Sequence, residues 1–226
     1  FASTDTSAVF FCQADVGTPA PCASPAVVSG LADGPHTFTV YAQDAAGNKD
    51  ATPASFSWTV DTTPPDTTAT ADRPALTNAT TITFTFSSPD ATAVFQCAFD
   101  GSPYAACVSP VTKTGLTAGS HTGTVQAVDS AGNVDPTPAG YTWTIDLTPP
   151  TITLTDTDKV APSTTSTSAS FSFTSSETTP TFQCKLDSAA AAACTSPVSY
   201  TALAGGSHTF TVTSSDTAGN SGSASL

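Results

Sequence analysis

Hydroxyl-bearing and apolar side chains alternate along much of this chain. In its middle third, TITFTF (Thr81 to Phe86) puts Ile82, Phe84 and Phe86 on one side and threonines on the other. That two-residue period is the signature of a half-buried β-strand. AVFQCAF (Ala93 to Phe99), SHTGTVQAVD (Ser120 to Asp129) and YTWTID (Tyr141 to Asp146) predict further strands. Asp100-Gly101-Ser102-Pro103 and Ser109-Pro110 separate them as turns. No segment keeps apolar residues at the three- and four-residue spacing of a helix, so none is predicted.

The whole pattern recurs. Phe1, Phe86 and Phe173 align, as do His36, His121 and His208, then Asp44, Asp129 and Asp216, in steps of 85 and 87 residues. Self-similarity at a fixed period means that one small unit is used serially. Between units stand Asp61-Thr62-Thr63-Pro64-Pro65 and Asp146-Leu147-Thr148-Pro149-Pro150. Paired prolines favour an extended, stiff spacer. The predicted fold is all-β, with tandem immunoglobulin-like antiparallel β-sandwich domains arranged end to end. Repeat 1 covers residues 1–63 and is expected to lack its first strand. Repeat 2 covers 64–148. Repeat 3 covers 149–226 and is expected to lack its last strand, since no counterpart of Trp58 or Trp143 precedes Leu226. Either the ends are arbitrary fragment boundaries, or a neighbouring chain supplies strands along an open sheet edge.

Each repeat carries two cysteines ten residues apart: Cys12 with Cys22, Cys97 with Cys107, Cys184 with Cys194. None is left over, which fits an oxidising compartment and three local disulfides. A loop that short ties neighbouring strands, or a strand to its own loop, rather than joining two sheets as in antibody domains. Units of about 86 residues sit near the lower limit for an unaided core, so a staple is physically sensible. Zinc would need further ligands near each pair, and no second CxxC or clustered HxH supplies them.

Net charge is −13 with five basic residues, Lys49, Arg73, Lys113, Lys159 and Lys185. No basic patch can be assembled from these, so nucleic acid and anionic membranes are not expected partners. No run of 18 or more apolar residues predicts membrane insertion. With no signal-like start and no methionine, the chain is expected to be a mature product or an internal piece of a longer one.

The most repeated polar string is Asp-x-Ala-Gly-Asn: Asp44 to Asn48, Asp129 to Asn133 and Asp216 to Asn220. One reading is a tight turn, with the Asp carboxylate accepting backbone NH groups and Gly or Asn in left-handed positions. The other is calcium, since Asp44/Asp50 and Asp129/Asp135 extend the string with hard oxygen donors. Ser221-Gly222 interrupts that extension in repeat 3, and no glutamate adds a bidentate ligand. No metal and no cofactor are expected. The histidines, one per repeat, cannot converge on one site in a linear array and are read as structural. No GxSxG elbow occurs, and no carboxylate pair is seen to recur with a histidine, so no catalytic residue and no enzyme is expected. Trp58, Trp143, Phe38, Phe84, Phe86, Phe95 and Phe210 share the parity of apolar strand positions and are read as core rather than a sugar platform. Asn78-Ala79-Thr80 is a lone glycosylation sequon. The lysines do not recur at equivalent positions, which argues against intramolecular isopeptide bonds.

The composite string FxC…C…SP…L…GxHTFTVxAxDxAGNxD…TPA…WTVDxTPP, which runs over essentially the whole chain, resembles the tandem Ig-like repeats of secreted bacterial surface proteins. The resemblance implies a β-sandwich and an extracellular, secreted or cell-surface home, and brings no catalytic residues. Such modules occur in adhesins, extracellular filaments and phage fibres, and as spacers on exported hydrolases. The expected function is a structural stalk or filament segment. Alternatives are an adhesin or glycan-binding module, or the spacer domains of an exported enzyme. The expected partners are copies of itself, joined by β-strand addition at the incomplete terminal repeats.

Overall fold

The computed structural model describes residues 1–158 and 164–226; Lys159 lies outside the described residues. Among the described residues all regular structure is β, in nineteen strands. Repeat 1 is one sheet in the order β2-β1-β3-β4, from β1 (Val9–Ala14), β2 (Ala20–Cys22), β3 (Gly34–Gln43) and β4 (Ala54–Val60). In repeat 2, β5 (Thr68–Ala71), β7 (Ile82–Ser87) and β10 (Val111–Lys113) form one sheet. The other sheet runs β6-β12-β11-β8-β9, from β6 (Leu76–Thr77), β8 (Val94–Phe99), β9 (Ala105–Cys107), β11 (Gly119–Val128) and β12 (Ala139–Ile145). Repeat 3 has a three-stranded sheet of β13 (Ile152–Asp156), β14 (Ala169–Ser175) and β17 (Val198–Tyr200). Its four-stranded sheet is β16-β15-β18-β19, with β15 (Thr181–Leu186), β16 (Ala192–Cys194), β18 (Phe210–Ser215) and β19 (Ser221–Ser225). These are tandem Ig-like domains.

By backbone proximity the chain forms two compact units, Phe1–Thr67 with Ser88–Gln96 and Gln126–Pro138, and Thr68–Ser87 with Cys97–Val125 and Ala139–Leu226. The first therefore holds repeat 1 together with the turns at one end of repeat 2. The second holds the remainder of repeat 2 and repeat 3.

Alternation decides which side chains enter the core. In repeat 2, Ile82, Phe84 and Phe86 from β7 are 1%, 2% and 5% exposed, and Val125, Trp143 and Ile145 opposite are 1–2% exposed. Burial on this scale stabilises by roughly 1.5–3 kcal/mol per large aliphatic or aromatic side chain. Phe84 packs on Phe99 and Trp143 at ring separations of 5.6 and 5.5 Å. Gly123 on β11 permits this, because a Cβ there would stand 3.0 Å from the Phe84 ring. Repeat 3 repeats the design with Phe171, Phe173, Phe210 and Val212.

The two end repeats differ from the middle one. The first strand is not the one element of repeat 2 without a counterpart in repeat 1; among the described residues no strand of repeat 1 answers to β5, β7 or β10. Repeat 3 does have a closing strand. Ser221–Ser225 pairs antiparallel with β18, from Ser215↔Ser221 to Thr211↔Ser225. Its residues are Ser, Gly and Ala, and with no aromatic to mark a core face they carry no strand signal.

Candidate functional site

The repeated polar constructions lie at turns and joints. In each Asp-x-Ala-Gly-Asn turn the Asp NH donates to the Asn carbonyl, at 3.0 Å for Asp44, Asp129 and Asp216. Asp129 Oδ1 accepts the NH groups of Ala131 and Asn133 at 2.9 and 2.8 Å, and its Oδ2 accepts Asn133 Nδ2 at 2.8 Å. Asp44 does the same with Ala46 and Asn48, and Asp216 with Gly219 and Asn220. Gly47, Gly132 and Gly219 have φ of 91°, 95° and 99°, a region glycine enters without Cβ strain. The Asn side chain bonding Asp44 and Asp129 is the chief cause holding those carboxyls below the ordinary range; at Asp216 burial pushes upward and is outweighed by bonds from Asn220 and the turn NH groups.

The asparagine amide has a second proton, and two repeats use it on the preceding joint. Asn133 Nδ2 donates to the Asp61 carbonyl at 2.9 Å, and Asn220 Nδ2 to the Asp146 carbonyl at 2.8 Å. Both acceptors are the first residue of an Asp-x-Thr-Pro-Pro joint. Each joint is also folded on itself, by Thr63 NH to Asp61 Oδ1 and Thr148 NH to Asp146 Oδ1. Asp33 holds the first from behind, accepting from Thr62 and Thr63. At the second, Asn78 NH donates to the Ala218 carbonyl. The joints are thus hydrogen-bonded structures and not only proline spacers.

Asp135 is 2% exposed. Its Oδ1 accepts the NH and hydroxyl of Thr137 at 2.7 and 3.0 Å, while Oδ2 is enclosed with no hydrogen bond of good geometry. Burial pushes this carboxyl up, but the Thr67 and Thr137 groups around it outweigh that and leave it low. In repeat 3 its position belongs to Gly222, whose backbone lies against the Pro150 carbonyl with no room for a Cβ. That close approach explains why the DxAGNxD continuation stops there. Among the described residues no three His, Cys, Asp or Glu side chains group as a metal site.

A recurring carboxylate–histidine pair is present, and sequence reading missed it. Asp15, Asp100 and Asp187 sit with φ of 50°, 50° and 52° just beyond β1, β8 and β15. Each points Oδ2 at the Nδ1 of His36, His121 or His208, at 2.8, 2.9 and 2.8 Å. Oδ1 accepts the NH of Thr37, Thr122 or Thr209. The available signal was that these aspartates recur at the cysteine period. In each case the ring's Nε2 meets a backbone carbonyl, and the pair ties a hairpin end to the next strand.

The disulfides Cys12–Cys22, Cys97–Cys107 and Cys184–Cys194 are closed, each with a Cα–Cα distance of 5.8 Å. They link β1 to β2, β8 to β9 and β15 to β16, diagonally across adjacent antiparallel strands. Another repeated contact was not foreseen. Ser109 and Ser196 hydroxyls each accept the NH of Phe86 or Phe173 at 2.8 Å, and Ser24 accepts the Phe1 amine at 3.1 Å. Phe84, Phe86, Trp143 and Phe210 lie in cores; Phe38, Trp58 and Phe95 are half-buried.

No family model matches this chain, and no curated protein does. Solved structures with the same type of architecture include fibronectin(III)-like modules of Clostridium thermocellum CbhA, at 15% identity, 70% of this chain, 91% of that one and TM-score 0.43. A 1.5-MDa bacterial ice-binding adhesin aligns at 16% identity over 96% of this chain and 83% of that one, TM-score 0.46. A tetra-tandem repeat from the extending region of a large adhesion protein aligns at 20% identity over 96% and 65%, TM-score 0.30.

Proposed function

We propose that this chain is a structural stalk or filament segment of a secreted bacterial surface protein, each domain stapled by its own disulfide. The observation that carries the reading is the bond from Asn133 and Asn220 to the Asp61 and Asp146 carbonyls, made identically at both joints. A module that fastens its own turn to the preceding joint is suited to holding consecutive repeats in a set relation. The cystines fit an extracellular setting, where they persist. In this reading the chain is not an enzyme, and its partners are further copies of itself. In this reading the copies would join by β-strand addition along an open sheet edge.

The test is Asn133→Ala with Asn220→Ala in the full chain, followed by small-angle X-ray scattering and melting. Each lost joint bond is expected to cost about 1 kcal/mol and to broaden the distribution of interrepeat distances. Unchanged scattering from a folded double variant would remove the clasp from the account.

A second reading has one observation in its favour. On the face of repeat 1 opposite the cystine, Phe11 and Tyr41 stack at 5.4 Å with an 8° interplanar angle, and Lys49 Nζ lies 5.3 Å from the Tyr41 ring centre. The equivalent positions are Gln96 and Gln126 in repeat 2 and Gln183 and Thr213 in repeat 3. A flat aromatic pair confined to one repeat is suited to glycan stacking. Saturable glycan-array binding that Tyr41→Ala abolishes would move the conclusion to an adhesin module.

A further inference from the structure

We propose that His36, His121 and His208 are imidazolium cations in the folded chain, and that losing their protons loosens all three repeats together, making the array tightest in mildly acidic solution. Each ring lies between two oxygens. Nδ1 meets the aspartate Oδ2 already described, and Nε2 meets a backbone carbonyl, Ala32 at 2.7 Å, Thr117 at 2.9 Å and Ala204 at 2.9 Å. Carbonyls and carboxylates only accept hydrogen bonds, and a neutral imidazole has a single NH to donate. A neutral ring would leave one nitrogen lone pair facing an oxygen lone pair at bonding distance. The imidazolium satisfies both contacts. The alternative, a neutral ring accepting from a protonated aspartic acid, is opposed by the threonine NH at the other carboxylate oxygen, which favours the ionised form.

The surroundings agree. Trp58 of β4 and Trp143 of β12 lie beside His36 and His121 at 5.9 and 5.4 Å between ring centres, with interplanar angles of 36° and 26°. An indole face favours a cation next to it. His208 has no such ring among the described aromatic contacts, and its side chain is 27% exposed against 10% for the other two. Charged groups facing the rings are Asp15, Asp100 and Asp187; Lys113 of β10 acts on Asp100. The bond to the carbonyl is the first cause raising each histidine above its ordinary value and the bond to aspartate the second, against a smaller opposing effect of burial.

The direction follows from linkage. A group whose folded pKa lies above its unfolded value stabilises fully below the unfolded value, about 6.5 for histidine, and that stabilisation fades as pH rises through the folded value. The aspartates behave oppositely. Held low, they stabilise above the ordinary carboxylate range, about 3.9, and lose that contribution as pH falls through their folded values. The staple is therefore complete between the two ranges.

Nitrogen-15 histidine spectra of the wild-type chain at pH 6 decide the charge state. Two protonated ring nitrogens in all three residues are expected, and a single neutral tautomer in any of them overturns the proposal for that repeat. Thermal melts from pH 6 to 9 decide the consequence. A falling Tm is expected in the wild type, with a shallower slope in the Asp15→Asn/Asp100→Asn/Asp187→Asn variant. A flat wild-type profile overturns the responsive role even where the triple variant fails to fold.

Discussion

Repeats 1 and 2 carry the same pattern of residues on the cystine-bearing sheet, and among the described residues the strands of a facing layer accompany repeat 2 but not repeat 1. Trp143 is 2% exposed and Ile145 1%, whereas their counterparts Trp58 and Val60 are half-buried and Phe56 is 69% exposed. What survives in repeat 1 is instructive. The disulfide, the His36–Asp15 pair, the Asp44–Asn48 turn and the β3–β4 register are all present. These devices are satisfied within one sheet and its turns, so they do not depend on the opposite layer. Burial does. Phe1 offers a fragment of that layer, lying 4.9 Å from the Phe10 ring at the position of Phe86.

The comparison breaks most directly at tryptophan. Trp143→Ala is expected to destabilise repeat 2 by about 3–5 kcal/mol as a core truncation, and Trp58→Ala to cost repeat 1 below about 2 kcal/mol, in proportion to its smaller buried area. Urea denaturation followed by far-ultraviolet circular dichroism measures both. Equal losses would mean that repeat 1 is better covered than its accessible surface shows.

The disulfides sharpen the same point at intermediate size. Replacing either Cys97/Cys107 or Cys12/Cys22 by serines removes about 2–3 kcal/mol on the chain-entropy model. In repeat 2 the core remains, and hydrogen exchange in β11 should stay protected. In repeat 1 the staple is a larger share of the total, and protection in β3 should collapse. Protection lost equally from both would show that the facing layer contributes little.

The smallest expected effect concerns calcium. The turn carboxylates of Asp44 and Asp129 are already occupied by NH groups and the Asn amide, so a chelator should leave Tm unchanged. A rise in Tm with millimolar calcium, lost in Asp135→Asn but kept in Asp50→Asn, would instead assign a cation to the enclosed Asp135 oxygen of repeat 2.

Much of this was legible in advance. Alternation of threonine with phenylalanine marks core faces because a strand points successive side chains to opposite sides. Equal spacing identifies repeats and pairs cysteines within them. The Asp–His pair was overlooked because its partners stand 21 residues apart, on elements that meet only through sheet registry. The closing strand of repeat 3 was overlooked because small polar residues carry no hydrophobic period.

Sequence alone determined the β class and the disulfide pairing, since each follows from local periodicity or from short spacing along the chain. Only the tertiary structure decided that the turn asparagines reach back to the joints, that each histidine lies between two acceptors, and which rings of repeat 2 pack on one another. Those depend on which backbone carbonyls and which opposing strands come within a few ångströms in space, and hydrogen bonding and burial respond to that proximity rather than to order along the chain.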